Sequence, residues 1–345
     1  MNNCIKQSSS VLQALELLDT LPSNLLTLFV TDNHDVLKGT LTDGDIRRFL
    51  VGGGRLSDSV LSAMHRDFHC IYEHDNALVS NLRALKNIDI TLVPCLDDNG
   101  RIIEIFDLTN YRSHLPIDVV MMAGGKGERL RPLTEKTPKP LLRVGDKSII
   151  DYNVERLISY GVKQINVTIN YLGEQIEEHF KAPIDGIKIR TVREPKFLGT
   201  MGSIQYVPDF IHDTVLMMNS DLFTNIDYED FYLHFKEHNA DMSIAAVPYT
   251  ISVPYGIFEL DGRNIKGVLE KPTYNYYANA GIYLIKRELL DLIPRDTFFN
   301  ATDFMKLLIE KGYKVIRFPL NGTWIDIGNP QEYQKAKELV KHIRN

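Results

Sequence analysis

Val119-Val120-Met121-Met122-Ala123-Gly124-Gly125-Lys126-Gly127-Glu128-Arg129-Leu130-Arg131-Pro132-Leu133-Thr134 is followed closely by Pro138-Lys139-Pro140 in a chain of 345 residues. An apolar run of strand length meets three glycines, Gly124, Gly125 and Gly127, and basic side chains come at once. Glycine lets the backbone turn tightly with no Cβ in the way, so successive N–H groups from Ala123 onward can face one anion. Arg129 and Lys139 add fixed positive charge beside that nest, and a polyphosphate is the ligand that fits. Lys126 and Arg131 serve either as further phosphate contacts or as solvated loop charges. A Walker loop is excluded because Gly125-Lys126 runs into Gly127, where Ser or Thr is required. The dinucleotide fingerprint is weakened because its third glycine position holds Leu130.

Working outward, apolar strand patterns alternate with helical ones: 117–122, a helix over 150–160 closed by Gly161, then 164–169, 187–192 and 214–218. Strands separated by helices predict an α/β fold with a doubly wound, mostly parallel sheet, whose ligands lie at the strands' carboxyl ends. Loop 123–131 and Asp221 both fall at such ends. Upstream, 113–116 (Ser-His-Leu-Pro) is a natural boundary, since proline disfavours helix before it and donates nothing to a sheet ladder.

The bulk numbers narrow the classes. A net charge of −6 offers no basic surplus for nucleic acid. No apolar run approaches the ~20 residues needed to span a bilayer, and the N-terminus lacks a secretion core. Three cysteines, Cys4, Cys70 and Cys95, lack metal-type spacing and read as free thiols of a reducing, cytoplasmic compartment.

The run from Gly124 to Thr134, with Pro138-Lys139-Pro140, resembles the signature of the sugar-1-phosphate nucleotidyltransferases, or nucleotide-sugar pyrophosphorylases. The likeness continues through Leu198-Gly199-Thr200, Asn219-Ser220-Asp221, Glu270-Lys271-Pro272, Asn279-Ala280-Gly281 and Trp324-Ile325-Asp326-Ile327-Gly328. It implies a Rossmann-like, GT-A-like catalytic domain over 116–345 and transfer of a nucleotidyl group from a nucleoside triphosphate to a sugar 1-phosphate. By the same resemblance Arg129 and Lys139 are catalytic, Asp221 and Asp326 hold Mg²⁺, and Glu194, Gly199 and Thr200 join the glycine loop in nucleotide binding. Gly256, Glu270, Lys271 and Asn279 would bind the sugar phosphate. Tyr274, Tyr276 and Tyr277 either line the sugar pocket or cover the sheet edge. Ser220 stands where the family usually has glycine, which would crowd the nucleotide slightly.

Glu194 falls where the family reads the nucleobase. A carboxylate only accepts hydrogen bonds, and guanine presents N1–H and its N2 amine side by side, so GTP is favoured, with dTTP and UTP as competitors. The overall pattern is similar to enzymes that make GDP-glucosamine or related GDP-sugars for bacterial surface glycans, nonulosonic acid pathways included; mannose and heptose 1-phosphates are equally drawable acceptors.

Residues 1–115 contain a repeat: 28–37 aligns with 93–102, and Asp32 and Asp97 stand 65 residues apart. Each copy, about 1–57 and 58–115, reads as helix, strand, turn, strand, helix, with the first helix over 11–19 capped by Ser9 or Ser10. The pattern resembles a tandem CBS (cystathionine-β-synthase-type) pair with α+β character. That resemblance implies an adenine nucleotide at Thr42 and Asp43, absent from the second copy where Asp107 and Leu108 replace them, and a homo-oligomer. A purely structural pair is the alternative. Two rivals for the whole chain are a nucleotide-sensing regulatory protein with a non-catalytic transferase domain and a nicotinamide-dependent dehydrogenase.

Overall fold

The computed structural model describes residues 3–23, 25–75 and 77–343. The chain divides into two compact units, Met1–His114 and Leu115–Asn345.

The first unit runs β1 (Cys4–Lys6), α1 (Val11–Asp19), β2 (Thr27–Thr31), β3 (Leu37–Thr42), α2 (Asp43–Val51), β4 (Ile71–Tyr72), α3 (Leu78–Lys86), β5 (Leu92–Leu96) and β6 (Ile102–Asp107). Its two three-stranded sheets have orders β1-β2-β3 and β4-β5-β6, each with a parallel first pair and an antiparallel second pair. Ser10 caps α1 and forms a reciprocal capping box with Gln13. Asp32 and Asp97 close equivalent turns: Asp32 accepts from the N–H groups of His34 and Val36, and Asp97 from those of Asn99 and Arg101. The two turns also meet each other, with Val36 bridged to Arg101 and Leu37 N donating to Gly100 O at 2.9 Å. Phe29 and Leu37 from one copy share a core with Leu92 and Leu96 from the other.

The repeat is incomplete. The sequence predicts a second helix in each copy, yet β6 is followed by turn and irregular chain. At α2, Thr42 and Asp45 cap the helix reciprocally. At the matching place the Asp107 carboxylate takes the backbone N–H and hydroxyl of Thr109 and the side-chain amide of Asn110, closing a turn instead. Pro116 would also fall in the last turn of such a helix, where it forfeits a hydrogen bond and clashes with the preceding turn.

The second unit runs β7 (Asp118–Ala123), β8 (Arg143–Val144), β9 (Lys147–Ser148), α4 (Ile149–Ser159), β10 (Gln164–Ile169), α5 (Gly173–His179), β11 (Arg190–Arg193), β12 (Thr214–Asn219), β13 (Leu222–Thr224) and α6 (Tyr228–Glu237). It continues with β14 (Met242–Ser252), β15 (Ile257–Asp261), β16 (Asn264–Leu269), β17 (Thr273–Lys286), α7 (Ala301–Glu310), β18 (Val315–Pro319), β19 (Trp324–Asp326) and α8 (Pro330–Ile343). Seven strands form one sheet in the order β11-β10-β7-β12-β17-β14-β18. β7 pairs in parallel with β10 and β12, and β10 with β11. β17 is the exception, antiparallel to both β12 and β14.

The strands β7, β12 and the inner half of β17 are apolar almost throughout because both faces of the sheet are covered. From β7 the chain steps to β10 and β11 on one side, then returns to β12 on the other. The strand order therefore reverses beside β7, and a crevice opens at the carboxyl ends of β7 and β12. A separate core of Leu130, Phe223, Ile327, Ala336 and Val340 ties the segment after β7 to β13, β19 and α8. The outer halves of β14 and β17, with the β15–β16 hairpin, form an arm exposed on both faces. No helix among the described residues is long and apolar enough to cross a membrane.

Candidate active site

β7 ends at Ala123, and the chain turns through Gly124 to Gly127. Gly127 is left-handed at φ 63°, and a Cβ there would stand 3.0 Å from Thr134 and 3.2 Å from Lys139. Its carbonyl accepts from the Thr134 hydroxyl at 2.8 Å. The loop is thus folded down onto the segment that carries Lys139. Leu130, which sits where a dinucleotide-binding chain would have glycine, is buried against Ile327 and Phe223. Its apolar anchor brings the basic loop to β13 and β19.

Those two strands pair antiparallel with Leu222 opposite Asp326, and Ile327 N donates to Asp221 O at 3.2 Å. Asp221 and Asp326, far apart in sequence, are therefore neighbours at the mouth of the crevice. Lys139 Nζ forms an ion pair with Asp221 Oδ2 and lies 3.8 Å from Asp326 Oδ1. A Cβ on Gly328 would stand 3.1 Å from the Arg129 guanidinium, so that side chain lies along the backbone just past Asp326. Burial and the neighbouring Asp221 charge push the Asp326 carboxyl upward, against the pull of Lys139 and Arg129. Arg129, Lys139, Asp221 and Asp326 thus form one cluster. Arg131 lies outside it, exposed and 3.9 Å from Glu128.

Asp221 Oδ1 is buried with no hydrogen-bond partner among the described residues. A buried orphan carboxylate oxygen beside a second carboxylate fits a hard divalent cation. No group of three or more His, Cys, Asp and Glu side chains suited to a metal occurs among the described residues. Two carboxylates suit Mg²⁺, which retains waters and takes further oxygens from substrate phosphates, better than a metal needing an all-protein cage.

Glu194 follows β11 directly and is buried, 4% exposed. Its Oε2 accepts from Leu198 N at 3.1 Å, and Oε1 lies so close to Gly124 that any Cβ there would overlap it. Gly124, whose φ lies outside the left-handed region, is therefore kept free of a side chain by the carboxylate of Glu194. Burial pushes the Glu194 carboxyl up to about 7, with the Leu198 N–H acting in the opposite sense. Beside it lies a cavity of about 460 Å³ lined by Asn170, Arg193, Glu194, Pro195 and Tyr206. Asn170 escaped the sequence reading, although it follows β10 immediately and so stands at a strand's carboxyl end like Asp221. A larger cavity of about 1410 Å³ lies near Thr214 and Lys286, at the opposite ends of β12 and β17. It holds none of the cluster residues.

Gly199 and Thr200 have a supporting place. Gly199 is left-handed at φ 79°, and a Cβ there would come within 2.7 Å of Phe299 O. The Thr200 hydroxyl accepts from Ala301 N at 2.9 Å, at the start of α7. Together they pin the segment that presents the Leu198 N–H to Glu194. The Ser220 hydroxyl donates to Met122 O at 2.6 Å, so this departure from glycine is absorbed by a bond to β7.

The sugar-side residues make contacts of their own. Gly256 and Glu270 adjoin each other on the arm, where a Cβ on Gly256 would stand 3.1 Å from Glu270 Oε2. Lys271 is left-handed at φ 45°. Asn279 is engaged within its own strand, donating to the Tyr283 hydroxyl and accepting from Gly281 N, both at 2.9 Å. Tyr274 and Tyr276 stack at 6.5 Å, and Arg317 lies 3.9 Å over the Tyr277 ring, so Tyr277 covers the sheet near β18.

In the first unit, the Thr42 hydroxyl donates to Asp45 Oδ2 at 2.6 Å and accepts from Asp45 N at 3.2 Å. Asp43 instead pairs with Arg47 on the outer face of α2. The carboxylate beside Thr42 is therefore Asp45, a residue the sequence reading passed over.

Residues 118–342 match the profile of a family described as nucleotidyl transferase. The bifunctional protein GlmU of Methanococcus maripaludis is 31% identical over 230 residues, 64% of this chain and 53% of that protein. The mannose-1-phosphate guanylyltransferase catalytic subunit beta of Danio rerio is 28% identical over 223 residues, 62% of each chain. The chain spans less than two thirds of the length of these relatives. Among solved structures, HddC from Yersinia pseudotuberculosis complexed with GMP-PN superposes with a TM-score of 0.51 at 26% identity, covering 65% of this chain and 99% of that one.

Proposed function

The chain belongs to the nucleotidyl transferase family, and from that premise we propose that it transfers a guanylyl group from GTP to a sugar 1-phosphate, releasing pyrophosphate. The observation that carries this reading is the cluster of Arg129, Lys139, Asp221 and Asp326 at the carboxyl ends of β7 and β12. In the reaction an oxygen of the sugar phosphate attacks the α-phosphorus. A new P–O bond forms, the bond from the α-phosphorus to the bridging oxygen breaks, and its electron pair leaves with pyrophosphate. Both reactants are anions, so catalysis lies in positioning and charge stabilisation, with no protein nucleophile. The glycine loop cradles the phosphates through its N–H groups, Arg129 meets the charge developing on the α- and β-phosphates, and Lys139 meets the α-phosphate or the attacking one. Asp221 and Asp326 would hold Mg²⁺, which supplies neutralisation of the phosphate charge. Gly256, Glu270, Lys271 and Asn279 are the proposed acceptor contacts, and a hexose or hexosamine 1-phosphate the acceptor, with GDP-sugars of surface glycans as the product class.

The guanine preference rests on Glu194. Its ionised form accepts from N1–H and the N2 amine, whereas its neutral form has lost half of that capacity. The folded-state value is raised, so the protein favours the protonated carboxyl and loses that contribution to stability as pH rises through about 7. Guanine binding draws the opposite way, toward the ionised form. Pyrophosphate release from five triphosphates against several hexose 1-phosphates, over a range of pH, tests both points. GTP should be the fastest donor, and its kcat/KM should climb by up to about tenfold per pH unit below that value and level off above it, a profile that Glu194→Gln flattens. UTP or dTTP outrunning GTP overturns the base assignment. Absence of pyrophosphate from every pair makes the chain a nucleotide-binding regulator instead.

We further infer that the first unit is a CBS-type pair in a homo-oligomeric cytoplasmic enzyme, supported by the 65-residue repeat and by three free thiols. An adenine nucleotide near Thr42 and Asp43 is its expected ligand. Calorimetry of the full chain with AMP and ATP should give binding that Thr42→Val weakens about tenfold, one hydrogen bond to a charged partner being worth about that much; no heat with either nucleotide leaves the pair a scaffold.

A further inference from the structure

Lys139 touches both carboxylates assigned to the metal, and it is also the cation assigned to a phosphate. Its Nζ pairs with Asp221 and lies 3.8 Å from Asp326, and its side chain is only 11% exposed. Its three N–H donors can be shared with a phosphate, but its place beside both carboxylates is the one a cation bridging them would take. We propose that Lys139 is a resident counter-ion that keeps the divalent-cation site shut until a phosphate draws it away, so that metal and nucleotide bind cooperatively. This inference rests on the nucleotidyltransferase reading of the same cluster.

The charges supply the argument. Two carboxylates against the Lys139 ammonium and the Arg129 guanidinium leave the cluster with no net negative charge. A divalent cation arriving alone must enter beside that ammonium, and like charges at a half-buried site repel strongly. When a triphosphate occupies the glycine loop, the ammonium gains a polyanion to pair with, and the aspartates are released to the metal. The geometry suits such a transfer. Lys139 opens a short 3₁₀ turn whose backbone is held by Leu141 N donating to Pro138 O and Leu142 N donating to Lys139 O, so only the side chain needs to swing. The unpartnered Asp221 Oδ1 shows that the lysine satisfies one oxygen of the pair and leaves the other for a second cation. Thermodynamic linkage makes the effect reciprocal: whatever factor the nucleotide adds to metal affinity, the metal adds to nucleotide affinity.

Mn²⁺ binding to the nucleotide-free full chain, followed by electron paramagnetic resonance, is the direct test. The parent should bind Mn²⁺ weakly, and Lys139→Met about tenfold or more tightly. Lys139→Gln should move in the same direction while retaining a polar contact to Asp221, which guards against a packing defect in the methionine variant. Adding Asp326→Asn to Lys139→Met should abolish the gain. A non-hydrolysable GTP analogue should strengthen Mn²⁺ binding to the parent by a larger factor than to Lys139→Met. Folded lysine variants that bind Mn²⁺ no more tightly than the parent, or an equal nucleotide effect in both proteins, overturn the proposal. Because the readout is metal binding, inactivity of the parent toward every triphosphate would sink the proposed function without deciding this point.

Discussion

Asp221→Asn should lower kcat/KM for GTP by about 10³-fold, close to 4 kcal/mol, at a magnesium concentration that saturates the parent. Asparagine keeps one acceptor oxygen and nearly the same shape, so the junction of β12 and β13 should still be tied to the end of β19 by the Ile327 N–H on the Asp221 carbonyl. What disappears is a negative charge with two tasks. One oxygen pairs with Lys139, and the other is buried with no partner among the described residues. Losing the first leaves a largely buried ammonium facing Asp326 alone at 3.8 Å, and breaking one side of such a pair carries a stability cost. Melting in EDTA should therefore fall for Asp221→Asn and partly recover in Asp221→Asn/Lys139→Met, where the stranded charge is gone. Activity should recover in neither. A folded Asp221→Asn protein retaining more than a tenth of parental kcat/KM would remove this carboxylate from the chemistry.

How far the sequence disclosed this site depended on the range of the interactions involved. The glycine loop and Asp221 were legible because each follows an apolar run directly, and in an alternating α/β pattern such positions mark the open end of the sheet. Asn170 obeys the same rule at the end of β10, but a single asparagine after a strand also reads as an ordinary turn residue, so nothing distinguished it until the cavity beside Glu194 was seen. The clash that forbids a side chain at Gly124 depends on a strand seventy residues later. Local spacing explains that glycine by its turn, although its φ is ordinary, and misses the carboxylate. In β17, fourteen residues carry a buried half and an exposed half, so the apolar pattern suggests a shorter strand and conveys no direction. Its antiparallel course between β12 and β14 is a tertiary fact. The repeat in the first unit was visible because Asp32 and Asp97 close their turns with the same local bonds. The missing helix after β6 was not, because exchange of Thr42 and Asp45 for Asp107 and Asn110 preserves polarity while converting a helix cap into a turn.

Arg129→Ala should leave the fold intact and reduce kcat by about 10²–10³-fold, the usual worth of one donor aimed at charge that develops only in the transition state. The side chain is exposed and contributes little to packing, whereas its neighbour Leu130 is buried against Ile327 and Phe223. The loop's anchor therefore survives the substitution, and melting temperature should move by only a few degrees. KM for GTP should rise less than kcat falls, since the ground-state triphosphate is still held by loop N–H groups and Lys139. Lysine at this position restores the charge but not the planar fork, which can meet two phosphate oxygens at once, so Arg129→Lys should regain only part of the loss. Gly328 supplies an independent check. A Cβ there would crowd the guanidinium at 3.1 Å, so Gly328→Ala should displace the arginine without deleting it and give a smaller loss in kcat, about tenfold. In the Arg129→Ala background the same alanine should cost almost nothing more, because the group it displaces is absent. Turnover of Arg129→Ala within about threefold of the parent, or fully additive losses in the double variant, would mean that the guanidinium only decorates the loop and that the developing charge is met by Lys139 alone.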